Sequence, residues 1–239
     1  MKKIITATLL VLLSATAHPA VRQRPTVIDR WNDQLAKAKD SYSRGDWAKG
    51  RDLADSVLVE MIELIASGPD ASSALATSFL LRAIGEAGSG ETARAAWDYG
   101  AAQALNPAFA SVDLAPFGRA ATVLEPWRAK PREGEPAQAS EHSATPSDFT
   151  PPRYIQNKHP SYPGAKRFQC SGGKVEITSV INEAGEVQAP QLSAGVDPVL
   201  AAAALNTVRD WRFVPAALGG HPKAVTYILS VNFRVLGCL

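Results

Sequence analysis

Cysteine is almost missing from this chain: its 239 residues include two, Cys170 and Cys238. Two thiols with no histidine pair beside them lack the ligand spacing of a zinc site. Histidine is also scarce, and His18, His142, His159 and His221 stand apart from one another, most of them beside proline. They read as solvated loop residues rather than bases or ligands. Excess charge is absent too, because 25 basic and 23 acidic residues leave a net charge of +2. No field of one sign is large enough to suggest nucleic acid or an anionic lipid surface as a partner. Catalytic motifs are equally lacking. There is no Gly-x-Ser-x-Gly, dinucleotide fingerprint or His-Glu-x-x-His, and Ser171-Gly172-Gly173-Lys174 lacks the first Gly and the final Ser or Thr of a phosphate loop. The expectation is a binding protein that is not an enzyme, with no catalytic, cofactor or metal residues.

Long apolar runs are confined to the start. Met1-Lys2-Lys3 precedes an apolar stretch from Ile4 to Ala17 that ends in the small-x-small pattern Ala15-Thr16-Ala17. As a helix, about fourteen residues reach roughly 21 Å, short of the roughly 30 Å hydrocarbon core. Residues 1–20 are therefore expected to be a cleaved signal peptide; the alternative is an uncleaved leader that anchors the chain. No Cys follows the cleavage region to carry a lipid.

Residues 21–127 are rich in Ala, Leu, Arg and Glu, with apolar residues three and four apart, which predicts an all-α domain. Two stretches echo each other. Ala38 and Tyr42 lead into Gly45-Asp46-Trp47 and then Ala54 and Leu58; Leu81 and Ile84 lead into Gly90-Glu91-Thr92, then Ala95, Tyr99 and Ala104-Leu105-Asn106-Pro107. Each predicts a helical hairpin, and together they are loosely similar to the tetratricopeptide repeat. The two Gly turns are about 45 residues apart, however, where that family's period is 34, and Gly50 stands where an Ala is expected. The alternative is a plain helical bundle in which Trp31, Trp47, Trp97 and Tyr99 fill the core. Residues 128–152 are rich in Pro, Ala, Glu, Ser and Thr and read as a linker that leaves the orientation of its neighbours free.

Residues 153–239 predict a β-β-α-β domain, making the chain α+β overall. Val175, Ile177 and Ile181 alternate with polar residues, a Gly-containing turn follows at Asn182–Glu186, and Val187–Leu192 returns as a second strand. Asp197-Pro198 starts a helix that carries Leu200, Ala204, Val208 and Trp211 on one face. In the last strand Val225, Tyr227, Leu229, Val231 and Phe233 alternate with Thr226, Ile228, Ser230 and Asn232. That strand pairs most simply beside the first, antiparallel and at the sheet edge. The same topology brings Cys170 near Cys238, so a disulfide is expected in an exported protein; the alternative is two separate buried thiols.

Pro160-Ser161-Tyr162-Pro163, Gly173-Lys174-Val175-Glu176-Ile177 with its hairpin, and Trp211-Arg212-Phe213-x-Pro215 resemble the C-terminal domain of the TonB family over about Pro151 to Val235. The resemblance implies a periplasmic protein whose last strand accepts a peptide, the TonB box, from a TonB-dependent outer-membrane transporter, in the context of transmembrane transport. It places His159, Tyr162, Pro163, Thr226, Ile228, Ser230 and Asn232 at the partner and makes Trp211, Arg212, Phe213 and Pro215 a structural motif. His159 stands where the family often has a glutamine. Contacts with the ExbB and ExbD motor proteins would require an anchored leader. Ser14 and His18 have the spacing of the family's anchor, but Pro19 to Arg24 ends the apolar run at once. The competing expectation is a soluble periplasmic scaffold with no energy-transducing role, and homodimer formation by edge pairing is left open.

Overall fold

The computed structural model describes residues 25–68, 70–128, 148–169 and 172–234. The expected signal peptide, most of the proline-rich linker and both cysteines lie outside these residues. The architecture is α+β, as the sequence predicts: five helices in the first half, then small antiparallel sheets with a helix against them.

The first half is built from two helical hairpins. Helices α1 (Val27–Ser43) and α2 (Trp47–Leu64) turn at Gly45, and α3 (Ala71–Ser89) and α4 (Thr92–Leu105) turn at Gly90. Both glycines adopt positive φ, 78° and 88°, which a residue with a side chain rarely tolerates. Thr26 caps α1 in a reciprocal box with Asp29, satisfying amides that the first turn leaves without partners. Short helical turns and α5 (Arg119–Leu124) close the bundle. Gly50 and Gly88 lie directly beneath the rings of Tyr42 and Trp47, so a side chain at either would collide with an aromatic. That close approach explains the glycine at position 50. Trp31, Trp97 and Tyr99 are buried, and the Tyr42 hydroxyl donates to the Leu81 carbonyl oxygen at 2.6 Å.

The second half begins with β1 (Phe149–Thr150) and β2 (Arg153–Gln156), followed by α6 (Gly164–Phe168). Its centre is a three-stranded sheet of β3 (Gly173–Ile181), β4 (Val187–Leu192) and, after α7 (Pro198–Val208), a long last strand. Between α7 and that strand lie β5 (Arg212–Val214), β6 (Ala216–Leu218) and β7 (His221–Lys223). Strand β5 pairs with β2, while β6 pairs with β1 and β7. The last strand, β8 (Val225–Phe233), pairs antiparallel with β3 in unbroken register from Gly173↔Phe233 to Ile181↔Val225. The β3–β4 pairing instead shifts register between Thr178 and Val180, opposite Ala189 at a φ of 49° and Pro190.

Helix α7 ends at Val208, earlier than its apolar pattern predicts. Trp211 is buried but lies beyond the helix, and Arg212–Val214 are a strand. Strand pairing wins there: Phe213 N–H donates to the Gly185 carbonyl oxygen at 2.9 Å, and Gly185, at a φ of 77°, has no space for a side chain against the Phe213 carbonyl.

Every residue of α7 from Val199 to Leu205 is buried. A helix apolar on all sides needs cover on all sides. The sheet covers one side and α2, α3 and α4 the other, while α4 also packs on β4 with Gly100 against Pro190. The relative placement of the two halves is thus held by a shared core.

Candidate strand-docking site

Strand β8 has alternating exposure. Leu229, Val231 and Phe233 are buried on the core face, whereas Thr226, Ile228, Ser230 and Asn232 form one exposed row on the other. Ile228 is 55% exposed although its neighbours are polar. Among the described residues only β3 pairs with β8, and no other described strand pairs with its opposite edge; an unpaired edge offers backbone donors and acceptors to an added strand. The nine residues Val225–Phe233 contain no charge, proline or glycine. Edge strands are usually blunted by such residues or by bulges. Strand β4, at the other edge, carries a register shift, Pro190 and the packed helix α4.

The sequence-predicted residues before β3 converge on the end of β8. The Tyr162 ring meets Phe233 edge-on at 6.0 Å between centroids, and buried Pro163 leads into α6. His159 is exposed in the preceding loop. At the start of β8, Tyr227 meets Phe213 edge-on at 6.3 Å between centroids, and Phe213 in turn packs on Tyr154 at 4.6 Å. The indole N–H of Trp211 donates to the Lys158 carbonyl oxygen at 2.9 Å. Tyr154 and Lys158 are thus held by the Trp211–Phe213 motif, and Tyr162 meets the end of β8. Arg212 uses its guanidinium on the carbonyls of Arg209 and Trp211, and Pro215 separates β5 from β6.

Several residues that hold this region came from outside the sequence motifs. Glu63 in α2 accepts from Gly164 N–H at 2.9 Å and from the Ser161 hydroxyl at 3.2 Å. Lys166, buried in α6, pairs with Asp197, which also accepts from the Ser67 hydroxyl at 2.7 Å and caps α7. Burial works against charge on Asp197, yet the bonds from Lys166, Ser67 and the Leu200 amide hold its carboxyl below the usual range. Deeper in, Arg82 grips buried Asp98 with two bonds of 2.5 and 2.9 Å, and reaches Asp55 and Asn206 as well. Arg209, at the end of α7, donates to Asp98 and to Glu86 at 2.8 and 2.9 Å. This network ties α3 and α4 to α7.

Residues 158–235 match the family model described as Gram-negative bacterial TonB protein C-terminal. No curated protein matches the chain. The TonB C-terminal match starts one residue before His159 and spans Tyr162-Pro163, the β3–β4 hairpin, α7 and all of β8. Residues 1–157, including Glu63 and most of the buried charges, lie outside it. Among the described residues no group of His, Cys, Asp or Glu is placed to hold a metal, and no helix is long and apolar enough to cross a membrane.

Proposed function

We propose that this chain binds an extended peptide by strand addition to β8, in the context of transport across the outer membrane. The observation that carries the reading is the contrast between the edges: β4 is blunted, and β8 is an uncharged, nine-residue edge in unbroken register with β3. Backbone bonds to such an edge supply affinity for any extended segment, and adjacent side chains supply selectivity. The TonB C-terminal match makes the periplasmic segment of a TonB-dependent transporter the ligand of choice, with Thr226, Ile228, Ser230 and Asn232 lining the strand and His159, Tyr162 and Pro163 flanking it. A second copy pairing through its own β8 is the competing occupant. The scaffold reading, with no energy-transducing role, is favoured by the extent of the helical hairpins outside the TonB match.

Hydrogen exchange tests the mode of binding. With a transporter-type peptide at 100 times its Kd, alternate amides of β8 should exchange about 100-fold more slowly, as expected for a site closed by mass action. Protection elsewhere with none in β8 would refute strand addition.

We also propose that Cys170 and Cys238 form a disulfide. The support is the pairing of Gly173 with Phe233, which brings together the chain segments next to the two cysteines. Closing that loop contributes about 4 kcal/mol in the chain-entropy treatment. The native protein should resist thiol alkylation until reduced, and reduction should lower its urea midpoint; alkylation of both thiols without reductant would exclude the bridge.

A further inference from the structure

The Tyr162-Pro163 motif belongs to the TonB match, but its geometry is set from outside that match. Ser161 and Gly164 bracket the motif, and both donate to the one carboxylate of Glu63, in the last turn of α2. Gly164 allows this approach, since a side chain there would meet the Glu63 carboxylate and carbonyl oxygens at 3.1 and 3.2 Å. A single group gripping both ends of a four-residue loop restricts it far more than either bond alone. On its other side the loop offers Tyr162 to Phe233, at the end of the open edge strand. Ser67, just after α2, adds a second hold through Asp197, which also pairs with Lys166 of α6.

We propose that Glu63 is a positioning residue that presses Tyr162 against the end of β8, so that the helical half of the chain sets the geometry of the strand-docking edge. The proposal rests on the strand-addition reading for its role in binding, but not for the contact itself. Without the carboxylate, the loop's donors turn to water and Tyr162 leaves Phe233. An incoming strand must then order the loop as it binds.

The test compares wild type, Glu63→Ala, Glu63→Gln and the milder Ser161→Ala by NMR without ligand and by titration with a transporter-type peptide. In Glu63→Ala the Tyr162–Phe233 nuclear Overhauser contacts should vanish, the Gly164 amide should move upfield, and affinity should fall about tenfold, as for loss of charge-assisted bonds. Glu63→Gln can accept from Gly164 and donate to Ser161, so it should restore the ring contacts and bring affinity within about threefold of wild type. Ser161→Ala should fall between them. A general loss of stability would not produce rescue by the isosteric amide. Ring contacts that persist in Glu63→Ala, or that vanish with no change in affinity, overturn the proposal and leave strand addition standing. A wild type that binds no peptide defeats strand addition instead, and with it the proposed role in docking; the ring contacts then decide whether Glu63 places Tyr162.

Discussion

Arg82→Met should cost about 3–5 kcal/mol of folding stability, the range for breaking a buried ion pair by removing one partner. Asp98 is fully buried and Arg82 nearly so. Arg82 supplies Asp98 with two bonds, and without it Arg209 would be left as the cation bonded to that carboxylate. Arg82 also reaches Asn206 on α7, so the loss extends beyond the helical half into the packing against the sheet. Urea unfolding at pH 7 measures the effect. A change below 1 kcal/mol would show that Asp98 finds other partners.

Glu86→Gln should instead stabilise the protein, and increasingly so as pH rises. Burial, followed by the nearby charge of Asp98, pushes the Glu86 carboxyl from 4.5 up to about 8, against the opposing pull of Arg209 and Arg82. One of its oxygens is buried without a hydrogen-bond partner. A folded-state value above the unfolded one means that the native protein holds the proton more tightly. Between about pH 4.5 and 8 the unfolded state is ionised while the folded state stays protonated, so stability falls across that window and is level above it. The amide cannot ionise, and its advantage over the wild type should grow through the window to the order of several kcal/mol. Asp29, Glu125 and Asp197, whose values are lowered, withdraw their stabilisation as pH falls into the acid range and do not mask the trend. Parallel pH profiles of the two proteins would refute this account of Glu86.

The sheet was legible because its information is local. Alternation from Val225 to Phe233 specifies both the strand and the face it buries, and Asp197-Pro198 specifies where α7 begins, with the Asp carboxylate taking the Val199 and Leu200 amides. The end of α7 was less legible, because Trp211 continues the helical spacing while the backbone of Phe213 is claimed by Gly185. Docking of the two halves was hidden for a different reason. Arg82 and Glu86 are four residues apart, a spacing that exposed helical pairs share, so nothing local marks them as buried. Glu63 meets its partners about a hundred residues later, beyond any periodic signal. The clue available was the alanine run in α7: Val199 to Leu205 contains no polar residue, although a helix covering only a sheet would show some toward water.

The inequality of the two sheet edges limits stoichiometry. A sheet with two receptive edges can be extended indefinitely, each new copy templating the next, as in fibres. With β4 closed by Pro190, its register shift and α4, the sheet of β4, β3 and β8 keeps one unpaired edge, β8, among the described residues. A strand added to β8 would complete the sheet. Two copies joined edge to edge would make a closed, symmetric pair that has no site left for a third, and such a pair would have to separate before either copy could take a ligand strand.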